Sequence, residues 1–229
     1  MKKTVILALV AAIAAWGAGR ADAQAPIYSF ETILPGGGPP GPDGFFGLGA
    51  VVAQEGTLGV THLLNSMRYT TGTGGFVGAR TEIVPPTFNN PPGVTHVLLD
   101  MYIPEIPTGI TFADMGVTVF GHDIDNGVFG IQNQFTDTVS IAGLGVGQHN
   151  NLRIDLDSEF NSGQSFNNIF GSDTSDLDVV SAFQFYISKN AGVPLTVYID
   201  NVRIVPEPAT VGLAGLALLG LLGVRRGKL

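Results

Sequence analysis

The segment Gly121-His-Asp-Ile-Asp-Asn-Gly127 carries the oxygen-bearing side chains that open a calcium-binding loop. Asp123, Asp125 and Asn126 stand close to a glycine, and Ca2+ prefers carboxylate and amide oxygens. The glycine, however, comes one residue early for an EF-hand, and Gln134 stands at the twelfth position, where a bidentate Glu is required. The Asn-Gly pair is also a hairpin-turn sequence, and we favour a polar hairpin tip here.

Other catalytic and metal-binding patterns are weak. The four histidines, at 62, 96, 122 and 149, are scattered, and the chain has neither an H-E-x-x-H pair nor a cysteine, so no zinc or thiolate site is indicated. No G-x-S-x-G elbow is present, although a Ser-His-Asp triad is recognised by geometry rather than by sequence. We therefore predict no catalytic residue and no enzyme, with an extracellular hydrolase kept as an alternative.

Tyrosines are the aromatic side chains available for contact with a sugar. The single tryptophan, Trp16, lies near the N-terminus, within a segment that we expect to be removed. Tyr186 and Tyr198 each stand opposite the main apolar face of a predicted strand. They could therefore share one exposed face that binds a glycan, although strand tyrosines also commonly cover the edge of a sandwich.

The elements that would position these residues are strands. Val97, Leu99, Met101 and Ile103 alternate with other residues, as do Phe183, Phe185 and Ile187, and glycine- and proline-rich turns separate such runs. This pattern predicts an all-β fold, an antiparallel β-sandwich of the jelly-roll type. The predicted strands are 27–32, 50–54, 62–70, 75–81, 94–103, 116–121, 128–135, 151–156, 181–188 and 195–205.

The N-terminus has the three parts of a secretory signal peptide. Met1-Lys2-Lys3 is positively charged, residues 4–18 are largely apolar, and Ala21-Asp22-Ala23 is an A-x-A cleavage site. We predict a signal peptide at residues 1–23, containing an apolar helix, and export by the Sec machinery.

The C-terminus has a different three-part pattern. Pro206-Glu207-Pro208 forms an extended hinge, residues 211–224 are Val, Leu, Ala or Gly throughout, and Arg225, Arg226 and Lys228 follow. The apolar run is about 14 residues, roughly 21 Å as a helix, which is short against a hydrocarbon core of about 30 Å. Because it lacks the polar stripe of a surface helix, we predict a transmembrane helix.

This order of parts resembles the PEP-CTERM proteins of Gram-negative bacteria, with a sorting signal at residues 206–229. The resemblance implies recognition and processing by an exosortase, transient tethering to the inner membrane, and a mature form at the cell surface or in the extracellular matrix. It also implies a host that makes exopolysaccharide.

Residues 24–205 remain as one predicted domain. This segment has five basic and 17 acidic residues, a formal net charge of −12, so its surface repels phosphate backbones and excludes nucleic acid as a partner. Its length is sufficient for one hydrophobic core.

The end of that domain, Thr196-Val-Tyr-Ile-Asp-Asn-Val-Arg-Ile-Val205, and its opening Tyr28-Ser29-Phe30-Glu31 resemble the strands of jelly-roll carbohydrate-binding modules. The resemblance implies a structural Ca2+ ion where the first and last strands meet. The matching ligand positions are Glu31 and Asp200, with Glu55 as a third.

These observations favour a noncatalytic exported protein of the cell surface or matrix. One alternative is a carbohydrate-binding module that contacts exopolysaccharide through Tyr186 and Tyr198. The other alternative is a hydrolase on the same sandwich.

Overall fold

The structure is a computed structural model that describes residues 27–34, 38, 40–84, 94–123, 128–163, 165–166 and 179–206. Within these ranges one short helix, α1 (Ile141–Leu144), accompanies a series of strands. The strands are β1 (Ile33–Leu34), β2 (Gly41–Pro42), β3 (Phe46–Leu48), β4 (Ala50–Glu55), β5 (Ser66–Thr71), β6 (Phe76–Thr81), β7 (Val94–Ile103), β8 (Ala113–Asp123), β9 (Val128–Gln134), β10 (Val139–Ser140), β11 (Gly147–Asp155), β12 (Val179–Lys189) and β13 (Thr196–Pro206).

The strands form two large antiparallel sheets and one two-stranded ribbon. The six-stranded sheet has the order β10-β8-β12-β6-β3, with β9 also paired to β8, and the five-stranded sheet has the order β11-β7-β13-β5-β4. The ribbon pairs β1 with β2. The prediction of an all-β antiparallel sandwich is confirmed.

The core lies between the two large sheets and follows the alternation in the sequence. Val97, Leu99 and Met101 of β7 are buried, as are Phe183 and Phe185 of β12. Each buried side chain of this size contributes about 1.5–3 kcal/mol of transfer free energy. The rings of Phe183 and Phe185 meet edge to face at 4.9 Å between centroids. The alternate side chains of both strands therefore point out of the sandwich.

The predicted strand 62–70 begins later than expected, at Ser66. Its first part is a loop, because carboxylates rather than a neighbouring strand accept the hydrogen bonds of its backbone. Asp200 Oδ2 accepts from the His62 amide at 2.6 Å, and Glu31 Oε1 accepts from the Leu64 amide at 2.8 Å. Side-chain acceptors of this kind compete with strand pairing.

The predicted strand 27–32 is reduced to a single bridge between Tyr28 and Val202. Phe30 has a positive φ of 61°, which no regular strand contains. The amides of Ser29 and Phe30 both donate to Asp43 Oδ2, at 2.9 and 2.6 Å. This carboxylate turns the chain out of the sheet.

Pro26–Pro206 forms one compact unit. Among the residues that the structure describes, no helix is both long enough and apolar enough to cross a bilayer. The predicted signal peptide at 1–23 and transmembrane helix at 211–224 lie outside the described residues, as do Glu207, Pro208, Arg225 and Arg226. Pro206 is the last residue of β13.

Candidate functional site

The two tyrosines predicted to bind a ligand lie on different sheets. Tyr186 belongs to β12 in the six-stranded sheet, whereas Tyr198 belongs to β13 in the five-stranded sheet. Each points away from the core, and the two therefore lie on opposite outer faces of the sandwich. The prediction of one shared, exposed face is wrong, and both side chains are buried, at 3% and 7% exposure.

Tyr198 packs beside Tyr102, with ring centroids 6.0 Å apart, beneath the loop at residues 56–65. A Cβ atom at Gly59 would lie 2.4 Å from the Cβ of Tyr198 and 3.2 Å from that of Tyr102. The backbone of Gly59 thus rests directly on both tyrosines. Contact between Tyr198 and a ligand stays a prediction, and it requires access past this loop.

The three predicted calcium ligands each hold a different part of the same loop. Asp200 Oδ2 accepts from the Thr61 and His62 amides, and Glu55 Oε1 accepts from the Thr57 amide and hydroxyl. Glu31 accepts from the Leu64 and Asn65 amides and from Asn65 Nδ2. In the described part of the chain, no three His, Cys, Asp or Glu side chains are grouped as metal ligands would be.

These carboxylates therefore do not fit one shared Ca2+ ion, because they are apart and N–H or O–H donors point at their oxygens. Although burial opposes it, the hydrogen bonds from Leu64 and Asn65 lower the pKa of Glu31. For Asp200, burial raises the pKa, and its hydrogen bonds from Thr61, His62 and Asn201 only partly offset that effect.

Asp100 is a structural partner of Asp200 that the sequence analysis did not name. The two residues are cross-strand partners in β7 and β13, and both are buried. The Thr61 hydroxyl lies 2.6 Å from Asp100 Oδ2 and 3.2 Å from Asp200 Oδ2. Asp100 also accepts from the Asn151 amide and from Asn201 Nδ2, where the neighbouring strands shift register. The available signal was an acidic residue between the apolar Leu98-Leu99 and Met101 of β7.

The outer face of the six-stranded sheet carries a polar row that crosses the strands. Gln134 of β9 pairs with Thr118 of β8, Thr118 pairs with Gln184 of β12, and Gln184 pairs with Arg80 of β6. The flanking residues of these strands, such as Val117, Phe183 and Ala79, face the core. Because successive side chains of a strand alternate between faces, the four polar side chains share the outer face.

Tyr186 lies beside this row, and its partners on the two neighbouring strands are both glycines, Gly116 and Gly78. A Cβ atom at Gly116 would lie 2.4 Å from the Tyr186 ring, so only glycine admits the ring there. The Tyr186 hydroxyl donates to the Phe135 carbonyl at 3.2 Å, and burial raises its pKa. Phe76 stacks on the ring at 5.0 Å between centroids and is half exposed. Gly78, the partner of Tyr186 in β6, lies against Gln184.

Two polar atoms on this face have no hydrogen-bond partner among the described residues. They are the Thr118 hydroxyl oxygen and Arg80 Nε, and both are buried. The Arg80 guanidinium lies 4.2 Å from the centroid of the Phe120 ring, and its Nη2 is 3.2 Å from Glu82 Oε1. An unpaired buried polar atom costs about 1–3 kcal/mol, so a partner supplied from solution would be favourable.

This arrangement can bind a molecule that offers both hydroxyl groups and apolar C–H surface. Amide and guanidinium groups of the row supply donors and acceptors, and the half-exposed Phe76 ring supplies an apolar surface. Of this set, the sequence analysis named only Tyr186 as a site residue. Thr118, Arg80 and Gln184 could be assigned to one row only once the strand registers were known.

Residues 205–226 match the PEP-CTERM protein-sorting motif, which confirms the sorting signal predicted there. No curated protein sequence matches the chain. Similar solved structures include one described as belonging to the carbohydrate-binding modules of the β-sandwich superfamily, at 16% identity and a TM-score of 0.46. That similarity covers 79% of this chain and 61% of the other, so the chain spans less than two thirds of that protein.

Two further structures are similar at low identity. The CBM22-1 xylan-binding domain from Paenibacillus barcinonensis is 14% identical with a TM-score of 0.43, covering 78% of this chain and 92% of that one. An exo-beta-agarase is 19% identical with a TM-score of 0.48, covering 81% of this chain and 25% of that one.

Proposed function

We propose that this chain is an exported, noncatalytic protein that binds polysaccharide at the cell surface or in the extracellular matrix of a Gram-negative bacterium. The jelly-roll connectivity of the sandwich is part of this proposal. The observation that carries the binding function is the half-exposed Phe76 ring, which stacks on Tyr186 beside the polar row. An exposed aromatic ring of this kind can pack against the apolar C–H face of a sugar.

The charge of the domain favours a neutral glycan. Residues 24–205 carry a formal net charge of −12, and an anionic polysaccharide approaching them would be repelled. The row itself contains one cationic side chain, Arg80, which forms an ion pair with Glu82. Neutral exopolysaccharide is therefore the ligand class that we propose.

Delivery is proposed to follow the sorting motif at 205–226. The Sec machinery exports the chain and the signal peptide at 1–23 is removed. The segment 211–224 tethers the precursor to the inner membrane, and an exosortase cleaves near Pro206-Glu207-Pro208. The experiment is to replace these three residues with alanine and follow the protein by membrane fractionation. Membrane-retained, uncleaved precursor supports this route, whereas unchanged release contradicts it.

Binding is tested by native electrophoresis of the purified protein through gels containing single polysaccharides. The panel contains soluble β-glucan, xylan and agarose as neutral members, with alginate as an anionic member. Retardation by a neutral member, lost in Gln184→Ala, supports the proposal. No retardation by any neutral member contradicts it.

The hydrolase alternative is tested with the same panel. Release of reducing sugar from any member by the purified protein would support that alternative. Stable retardation with no release of sugar supports noncatalytic binding.

A further inference from the structure

Phe160 extends the polar row of the six-stranded sheet by one position. Glu159 forms a bridge with Phe135, and the Phe160 amide donates to the Gln134 carbonyl at 2.8 Å. Phe160 is thus the cross-strand neighbour of Gln134, and cross-strand neighbours point to the same face. Its ring stands on the outer face and is 71% exposed.

The turn that carries Phe160 is fixed by the carboxylate of Glu159. Glu159 Oε2 accepts from the Asn161 and Ser162 amides at 2.9 and 2.6 Å, and Oε1 accepts from Asn161 Nδ2 at 3.0 Å. Burial alone would raise the pKa of Glu159, but these hydrogen bonds outweigh it and lower the pKa. The Thr136 amide binds the Ser158 carbonyl at 2.9 Å, which docks the turn on the end of β9.

The backbone that carries the exposed ring is therefore held in place before any ligand arrives. Ordering a contact residue in advance reduces the entropy lost on binding. From Phe160 to Gln184 there are three strand spacings, about 14 Å, so a ligand bound only at Tyr186 and Gln184 does not reach Phe160. A longer chain lying along the row would meet it.

We propose that Phe160 is a specificity-determining residue that contacts an additional sugar unit and makes binding dependent on the length of the glycan. This inference rests on the proposed polysaccharide binding. It assigns the ligand as a linear chain that crosses the strands and passes the outer edge of β9. Phe160 contributes its ring face, and Glu159 is the positioning residue.

The test uses a disaccharide-to-octasaccharide ladder cut from the neutral polysaccharide that retards the wild type, with affinities measured by titration calorimetry. For the octasaccharide, Phe160→Ala should weaken binding about tenfold, the ~1.4 kcal/mol commonly lost when an aromatic contact is truncated. The disaccharide affinity should be unchanged, and Phe160→Trp should retain the wild-type length dependence. Phe112→Ala is the matched control, because Phe112 is also an exposed phenylalanine but lies outside the row.

The outcomes separate this inference from the function on which it rests. If Gln184→Ala abolishes binding and Phe160→Ala has no effect at any length, the inference is overturned and the proposed function stands. An equal loss at every length also overturns it, because the ring would then act through the shape of the site. If the wild type binds no neutral glycan, the Phe160 inference and the proposed polysaccharide binding are both contradicted.

Discussion

Thr118 places a hydroxyl group at a buried position where a valine side chain would need no hydrogen-bond partner. It is fully buried, and its hydroxyl finds no partner among the described residues. Its neighbours in β8, Val117 and Val119, are buried valines that need no partner. A buried hydroxyl without a protein partner commonly binds an ordered water molecule.

Thr118→Val should therefore separate stability from binding. The substitution removes the unpaired oxygen while keeping a branched side chain, so we expect the free energy of unfolding to rise by about 1 kcal/mol. Glycan affinity should not change, because the hydroxyl is fully buried and does not face the solvent. Urea unfolding and titration of the same sample measure both quantities. A less stable variant with unchanged affinity would show that the hydroxyl has a structural role.

Individual residues were predictable from the sequence where a single strand pattern decided their place. The alternation around Phe183 and Phe185 correctly placed Tyr186 on the outside of its strand. It could not show that Tyr198 faces the opposite side of the sandwich, because that depends on which sheet each strand joins. Nor could it show that Gly116 leaves room for the Tyr186 ring.

The loop at 56–65 covers part of the outer face of the five-stranded sheet. Its amides are held by Asp200 and Glu31, and its Gly59 covers Tyr198 and Tyr102. The five-stranded sheet is thus covered at its tyrosines, whereas the Phe76 ring beside Tyr186 is half exposed. We assign ligand binding to the six-stranded sheet for this reason.

Gly59→Ala should test how firmly this loop is held. Gly59 has a positive φ of 67°, which costs an alanine about 1–2 kcal/mol, and the added methyl group would clash with Tyr198. Overpacking adds about 1–3 kcal/mol, so we expect a total loss of about 2–5 kcal/mol in urea unfolding. Glycan affinity should not change.

Gly163→Ala is the matched control for that substitution. Gly163 has nearly the same φ, 66°, but none of the described residues lies within 4 Å of the added atom. It should lose only the backbone cost, about 1–2 kcal/mol. Equal losses for the two variants would show that the loop does not press on the tyrosines.

Strands that pair within a sheet could be predicted from the sequence. Segments whose backbone amides bind side-chain carboxylates instead of a neighbouring strand could not. β7 has the predicted bounds of 94–103. The predicted strands 27–32 and 62–70 are interrupted because Asp43, Asp200 and Glu31 accept backbone hydrogen bonds across the fold. No local pattern in the sequence indicates such distant acceptors.

The molecule as a unit combines an acidic sandwich with a sorting motif. The charge of −12 on residues 24–205 favours the neutral glycans that we propose as ligands, and residues 205–226 match a protein-sorting motif. Both features are legible in the sequence, because charge and motif order do not depend on the fold. The proposed binding face could not be predicted from the sequence, because it draws on residues of four strands.

Removal of calcium should leave the fold unchanged. Glu31, Glu55 and Asp200 already accept hydrogen bonds from the loop, so a metal ion is not needed to neutralise them there. We expect the melting temperature of residues 24–206 to be the same with and without chelator. A lower melting temperature with chelator, restored by added Ca2+, would reveal a structural ion and contradict this expectation.

The assignment of binding to the six-stranded sheet is tested most directly by comparing two arginines that lie on different sheets. Arg80 lies in the polar row, and Arg68 of β5 belongs to the other sheet, so each alanine variant removes the same charge. In calorimetric titration with the neutral polysaccharide, Arg80→Ala should lose at least about tenfold in affinity, because it removes a charged hydrogen-bond donor. Arg68→Ala should bind as the wild type does. Equal losses, or a loss confined to Arg68→Ala, would contradict the assignment.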